Sequence, residues 1–243
     1  MDIAGRPMIV RVLERTLNAR HVIRAIVATD DRRIFDVVRE QGFEVVMTSP
    51  RHASGSDRVA EVVAAFDDTE EAEIIVNVQG DEPLISPQTI DRAVDALVED
   101  VAASVATTSE RIENPADVLS SDVVKVVTDR QGRALYFSRA PIPYPREAVR
   151  RHGSLEAALS NDPTLLSIFR KHTGLYVYRR RFLLEYAAWP QTDLERAESL
   201  EQLRILERGA VIRVVEAMTP SIGVDTAEDL ERVRAIISLK SKV

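Results

Sequence analysis

Residues 74–83 read Ile74-Ile75-Val76-Asn77-Val78-Gln79-Gly80-Asp81-Glu82-Pro83. Apart from Asn77, Ile74 to Val78 are apolar and β-branched, a run that suits a strand buried on both faces, and it stops at Gly80, where the chain must turn. Asp81 then lies just past the C-terminal edge of a central strand. Ligands bind at that edge in open α/β sheets, so Asp81, with Gln79 beside it, is placed to hold a hard cation and a polar ligand group. An Asp that merely closes the turn before Pro83 is the other reading of the same residues.

Upstream, Pro7 opens an amphipathic helix through Met8, Ile9, Val12, Leu13, Thr16 and Leu17, so the chain is expected to begin on a helix. Ala25 to Thr29 reads as a buried strand ending in Asp30-Asp31, a second helix carries Ile34, Val37 and Val38 to Gly42, and Glu44 to Thr48 is a short strand. Strand and helix in alternation predict a parallel sheet with right-handed crossovers. The loop His52-Ala53-Ser54-Gly55-Ser56-Asp57-Arg58 precedes a helix through Val59, Val62, Val63 and Phe66. It can offer hydroxyls, backbone N–H groups and a guanidinium to an anion or a nucleobase edge at a helix N-terminus. Equally, it can be a well-capped helix start, with Ser56 or Asp57 as the cap.

Downstream, Ser86-Pro87 starts a helix through Ile90, Ala93, Val94 and Leu97, and Ala103 to Thr108 is a further strand. Two strands, Val123 to Thr128 and Arg133 to Phe137, are joined by Asp129-Arg130-Gln131-Gly132, a hairpin signal that ends the parallel alternation. Ser138 to Arg146 holds three of the eleven prolines, and such a segment runs extended over a surface, covering a site or reaching a partner subunit. Arg150 to Asn161 is a polar helix or loop without a clear role. His172, Gly174, Tyr176 and Tyr178 alternate onto one face of a strand, a plausible sugar or carboxylate platform, while Leu175 and Val177 point into the core. Asp193 to Arg208 is expected as one helix on which Glu195, Glu198 and Gln202 fall within an arc of roughly 60°. That stripe could bind hydroxyls or be a solvated face. Val211 to Val215 is a strand, and Ile222 to Thr226 leads to a last helix through Leu230, Val233, Ile236 and Ile237. Thr226-x-x-Asp229 can form a capping box that leaves Asp225 free to face a ligand, but Asp225-x-x-Glu228 could cap equally well.

With 243 residues, 45% of them hydrophobic, and no repeat or linker, one α/β domain over 1–243 is expected. The net charge of −7, with no basic run longer than Arg179-Arg180-Arg181, argues against a nucleic-acid partner. Zero cysteines remove disulfides, thiolate catalysis and Cys-ligated metals. No apolar run approaches the roughly 18 residues that span a bilayer, and no signal-peptide core is visible, so no membrane partner and a cytoplasmic location are expected.

Asp81 and Asp225, two carboxylates at ends of elements in an α/β sheet, suit Mg²⁺, which prefers one or two protein carboxylates and completes its shell with water and substrate phosphate. Nucleotide chemistry follows. Neither G-x-G-x-x-G nor G-x-x-x-x-G-K-[ST] occurs, so dehydrogenase and P-loop readings drop out.

One family shares these features together. Gly5-Arg6-Pro7-Met8-Ile9, Ala28-Thr29-Asp30, His52 to Arg58, Asn77-Val78-Gln79-Gly80-Asp81-Glu82-Pro83, Lys125-Val126-Val127, Tyr136-Phe137-Ser138-Arg139, His172-Thr173-Gly174-Leu175-Tyr176, Leu194-Glu195 with Leu200-Glu201-Gln202-Leu203-Arg204, and Gly223-Val224-Asp225-Thr226 resemble the 3-deoxy-manno-octulosonate (Kdo) cytidylyltransferases, the CMP-Kdo synthetases of lipopolysaccharide assembly. The resemblance covers nearly the whole chain. It implies a three-layer Rossmann-like nucleotidyltransferase domain with a mostly parallel sheet and an antiparallel dimerisation segment, a homodimer, CTP and Kdo as substrates, and Mg²⁺ held by Asp81 and Asp225. Ser54, Arg58 and Gln79 would line the cytidine and ribose side, and Arg139, His172, Tyr176, Glu195, Glu198 and Gln202 would surround the sugar acid. The Kdo anomeric hydroxyl would attack the α-phosphorus of CTP and release pyrophosphate, with no covalent protein intermediate. The family also shares a strand and a phosphate loop rich in Arg, Ser and Lys before the region matched here. A chain starting at Met1 is therefore expected to show an apolar slot beside its central strands, to be poorly stable and to be nearly inactive. A synthetase for another acidic sugar, of sialic-acid type, and a non-catalytic remnant of the fold are the competing readings.

Overall fold

The computed structural model describes residues 1–52, 54–66 and 72–240, so Ala53 of the serine-containing loop lies outside the described residues. In chain order the elements are β1 (Asp2–Ile3), β2 (Arg6–Pro7), α1 (Met8–Leu17), β3 (Ile26–Thr29), α2 (Arg32–Glu40), β4 (Glu44–Met47), α3 (Gly55–Ala65), β5 (Ile74–Asn77), α4 (Pro87–Glu99), β6 (Ala103–Arg111) and α5 (Pro115–Leu119). There follow β7 (Lys125–Thr128), β8 (Ala134–Ser138), α6 (Arg146–His152), α7 (Leu155–Asn161), a 3₁₀ turn (Pro163–Ile168), β9 (Arg170–Arg179), α8 (Arg180–Ala187), α9 (Asp193–Glu198), α10 (Gln202–Glu207), β10 (Val211–Glu216) and α11 (Ala227–Lys240).

These elements fall into two compact units, one of Met1–Asp95, Leu175–Ala188 and Met218–Val243, the other of Ala96–Gly174 and Trp189–Ala217. The first two crossings lie inside α4 and inside β9, with no change of composition, which is why the sequence suggests one domain.

The first unit opens on the hairpin β1–β2, where a helix is expected. Ala4 and Gly5 take positive φ (50° and 78°), the turn conformation that matches strand twist, and Asp2 Oδ1 accepts the Gly5 N–H at 3.0 Å. Helix α1 then begins at Met8, as the periodicity indicates. Strands β3 and β4 are parallel, with Ile26 to Thr29 opposite Glu44 to Met47, as the strand–helix–strand alternation predicts. Strand β5, however, pairs antiparallel with the second half of β9, Ile74 opposite Arg179 and Asn77 opposite Tyr176. A strand buried on both faces carries no signal of its direction, so the sheet is mixed where a mostly parallel one is expected. Leu13, Val27 and Val38 form one apolar cluster, and Ile3, Val224 and Val233 form another under α11.

The N-terminus of α3 meets the C-terminal ends of three strands. Arg58 reaches Asp30 after β3 at 3.3 Å and the Thr48 hydroxyl after β4 at 2.5 Å, and Gly55 sits beside Asn77 at the end of β5 and Gln79 just beyond it. Thus β3, β4 and β5 end on one side, where an α/β sheet binds ligands.

Among the described residues β3 pairs only with β4, and β5 only with β9. Between them runs a cleft of about 490 Å³ lined by Ile9, Val27, Val59, Val63, Ile75 and Val76 among others. The Thr29 carbonyl accepts from Thr48 N–H and the Glu73 carbonyl from Arg180 N–H. Alternation along a strand therefore turns the backbone groups of Ile26 and Ala28, and of Ile74 and Val76, toward the cleft.

In the second unit the strand order is β10-β6-β9-β7-β8, with β9 entering through its first half. Strands β6 and β10 are parallel, whereas β7 and β8 form the expected antiparallel hairpin, closed by Gly132 N–H to the Asp129 carbonyl at 3.1 Å, with Gly132 at φ +76°. Ile112, Val118, Leu159 and Phe169 bury a satellite core beneath α5 and α7, which gives the polar stretch from Arg150 to Asn161 a packing role.

Candidate active site

Asp81 leaves β5 in the turn that the sequence places there, and the Val224 N–H donates to its carbonyl at 2.9 Å, fixing the 222–225 segment beside it. The capping competition at α11 resolves in favour of Thr226: its hydroxyl accepts from Asp229 N–H at 3.2 Å, while the Asp229 carboxylate takes the Thr226 N–H at 3.0 Å. Asp225 is thereby left to face the turn. Burial pushes the Asp81 carboxyl up from its ordinary value, and the charge of Asp225 pushes it the same way.

A Cβ placed on Gly223 would lie 3.8 Å from Glu82 Oε1 and 3.9 Å from Asp225 Oδ2, so Glu82 belongs to this cluster although the sequence reading gave it no role. Its other oxygen takes the Ser221 hydroxyl. Two neighbouring carboxylates, one of them half-buried, repel each other, and a divalent cation would relieve that repulsion. Asp81 and Asp225 are two carboxylates, the number an ion such as Mg²⁺ takes from protein when water and phosphate complete its shell; among the described residues no group of three or more His, Cys, Asp or Glu is placed to hold a metal.

On the loop before α3, the cap is Ser54, whose hydroxyl accepts from Asp57 N–H at 3.2 Å, not Ser56 or Asp57. Ser56 is turned inward and shares a hydrogen bond with the Tyr178 hydroxyl at 2.8 Å. Arg58 is held by Asp30 and Thr48, and Gln79 Nε2 comes within 3.9 Å of where a Gly55 Cβ would be. Asn77 is the residue that sequence reasoning missed here. It is 6% exposed, its Nδ2 has no hydrogen-bond partner, and that atom lies 3.7 Å from the same Gly55 position. A polar residue inside an otherwise apolar strand was the available signal.

The open tyrosine platform does not form. Tyr176 and Tyr178 are both buried and stack at 5.8 Å, because their face of β9 is covered in the first unit and the rings bury their apolar bodies there. His172, on the half of β9 that belongs to the second unit, has its Nε2 2.9 Å from the Thr107 hydroxyl and stands edge-on to Phe137 at 5.1 Å. Burial pushes its imidazole down to about 3, so it is neutral at physiological pH.

The expected single helix from Asp193 is broken. Ser199 adopts φ +53° between α9 and α10, so Glu195, Glu198 and Gln202 do not share one helical stripe. Glu195 instead caps α9, taking the Thr192 N–H at 3.2 Å, and pairs with Arg204 at 3.1 Å with both side chains buried. Gln202 is buried as well, 2% exposed. Glu198 binds the strand end of β8, accepting from the Ser138 hydroxyl at 2.6 Å and the Arg139 N–H at 2.9 Å. The Arg139 guanidinium reaches the Glu198 carbonyl at 2.8 Å and the Ser121 carbonyl at 2.9 Å.

The family model described as cytidylyltransferase matches residues 1–216. The 3-deoxy-manno-octulosonate cytidylyltransferase of Trichlorobacter lovleyi is 51% identical over 233 residues, covering 96% of this chain and 89% of that protein. Its namesake from Syntrophotalea carbinolica is 53% identical over 96% of this chain and 89% of its own length. A solved CMP:2-keto-3-deoxy-manno-octonic acid synthetase complexed with CTP superposes with a TM-score of 0.85 at 39% identity, over 99% of this chain and 91% of that one. The 4-diphosphocytidyl-2C-methyl-D-erythritol synthase of Anaerococcus prevotii shares the fold at 14% identity and TM-score 0.58.

Proposed function

This chain belongs to the 3-deoxy-manno-octulosonate cytidylyltransferase family, and we propose on that basis that it transfers CMP from CTP to Kdo, releasing pyrophosphate. Within the molecule, the observation that carries the reading is the pairing of Asp81 with Asp225 on the side where β3, β4 and β5 end.

In this reaction the anomeric oxygen of the sugar acid forms a bond to the α-phosphorus, the bond from that phosphorus to the β-bridging oxygen breaks, the electron pair leaves on pyrophosphate, and the hydroxyl proton passes to solvent. Mg²⁺, when bound by Asp81 and Asp225, supplies charge neutralisation at the triphosphate. The protein's own residues supply position. The N-terminal amides of α3, with Ser54, Arg58, Gln79 and Asn77, are the donors for cytidine and ribose. In the second unit, Arg139 offers a guanidinium to the carboxylate of the sugar acid, and His172 a neutral imidazole for hydroxyls. Glu198 acts behind that surface through Ser138 and Arg139 and Glu195 through its pair with Arg204, while Gln202 is buried.

We propose also that the protein is a homodimer of the cytoplasm. Leu135 on β8 and Tyr144 in the proline-rich segment, each 61% exposed, give the second unit apolar surface for a second copy. No helix among the described residues is long and apolar enough to cross a membrane.

The test is pyrophosphate release from CTP with a panel of acidic sugars in Mg²⁺, with the product identified by mass. CMP-Kdo is the expected product. Faster turnover of a sialic acid would overturn the sugar assignment, and no release with any sugar would overturn the catalytic reading.

A further inference from the structure

Lys125 is fully buried, an uncommon place for an ammonium group. All three of its donors are used, on the carbonyls of Ser120 at 2.7 Å, Val123 at 2.6 Å and Arg139 at 2.6 Å. The first two belong to the loop between α5 and β7, and the third follows β8. The ammonium therefore ties that loop to the end of the hairpin's second strand. Desolvation lowers the lysine pKa, as does nearby Arg139, while Glu198 opposes them.

What this clamp holds is the seat of Arg139. Its guanidinium rests on the Ser121 carbonyl, inside the clamped loop, and on the Glu198 carbonyl. Glu198 in turn takes the Ser138 hydroxyl and the Arg139 N–H. Backbone and side chain of Arg139 are thus fixed by acceptors that Lys125 and Glu198 keep in place. Two cations sit beside one carboxylate, an excess of positive charge that favours an anion.

We propose that Lys125 is a positioning residue: by tying the 120–123 loop to residue 139, it aims the Arg139 guanidinium at the carboxylate of the acidic substrate. The role rests on the cytidylyltransferase reading for the identity of that substrate, and on the hydrogen bonds alone for the clamp.

The experiment compares wild type with Lys125→Met and Lys125→Gln by steady-state kinetics on CTP and Kdo, and by hydrogen exchange of the Asp122 and Val123 amides. Expected are a KM for Kdo raised about tenfold or more, a KM for CTP within about twofold, and a kcat that changes less than the Kdo KM. The Asp122 and Val123 amides exchange faster in both variants, and Lys125→Arg, which keeps the charge, recovers part of the loss. In an Arg139→Ala background, Lys125→Met adds little further to the Kdo KM, because the group it aims is gone. Equal rises in both KM values, or unchanged exchange at Asp122 and Val123, would overturn the proposal. So would unfolding of both variants, which would make Lys125 a core residue only. Failure of the wild-type protein to make CMP-Kdo would instead sink the cytidylyltransferase reading, and the exchange comparison would still judge the clamp.

Discussion

Glu195 and Arg204 face each other across 3.1 Å with side chains only 5% and 4% exposed, so the carboxylate that the sequence offered as a sugar ligand is consumed by an internal ion pair. Its second tie, to the Thr192 N–H, closes the capping box of α9. Removing one partner of a buried pair leaves the other uncompensated, at a cost of about 3–5 kcal/mol. Glu195→Gln should therefore lower the urea midpoint markedly and leave the Kdo KM of the surviving folded protein nearly unchanged. A selective rise in that KM without loss of stability would restore Glu195 to the substrate surface.

Asp225 acts on Asp81 through charge as well as through any ligand. The folded Asp81 carboxyl is raised, so the stability associated with it is complete below its unfolded value, near 4, and declines as the pH rises through its folded value. At neutral pH the ionised Asp81 carries a cost that a divalent cation would relieve. Adding millimolar Mg²⁺ at pH 7 should raise the Tm of the wild-type protein, and Asp225→Asn should raise the Tm without Mg²⁺ while shrinking the Mg²⁺ effect. An identical Mg²⁺ response in the variant would remove Asp225 from the site.

His172 gives the opposite sign. Its folded value, about 3, lies below the ordinary value of 6.5, so its contribution is complete above the unfolded value and is lost as the pH falls from there toward 3. The limiting slope for one proton is about 1.4 kcal/mol per pH unit. His172→Asn should flatten the acid limb of stability between pH 6.5 and 4.5, as measured by urea titration, with the Kdo KM raised more than the CTP KM.

Ser54 separates capping from substrate contact. Loss of the cap costs about 1 kcal/mol on replacement by Ala and only a few tenths on replacement by Gly. The Ser54 oxygen accepts from Asp57 N–H while its O–H remains a donor for the nucleotide, so Ser54→Ala should lower stability by that amount and also raise the CTP KM. An unchanged CTP KM would confine Ser54 to capping.

Local pattern carried much of this molecule into view. The period of α1 and the apolar run of β5 located those elements, and the Asp129 to Gly132 turn located the hairpin, because each is specified by neighbours in the chain. Direction and pairing are different in kind. That β9 runs antiparallel to β5 depends on a segment about a hundred residues away, and no alternation of side chains encodes it. The same reason hid the fate of Glu195: a carboxylate on a helix looks alike whether it meets solvent or a buried Arg204. Ser199 broke the helix with one left-handed residue that has no glycine to announce it. Asp225, by contrast, was recoverable once Thr226 took the cap.

The cleft between β3 and β5 also bears on how molecules of this protein treat one another. Two strand borders with inward-turned backbone groups and an apolar floor invite any extended chain to complete the ladder, and a second molecule is the most abundant source of one. The net charge of −7 opposes such encounters at low ionic strength, but salt screens it. Colloidal behaviour should then be set by this one recess. Sedimentation at rising protein and salt concentration should show growth beyond any dimer, and Ala28→Pro, which removes an amide facing the recess, should suppress it.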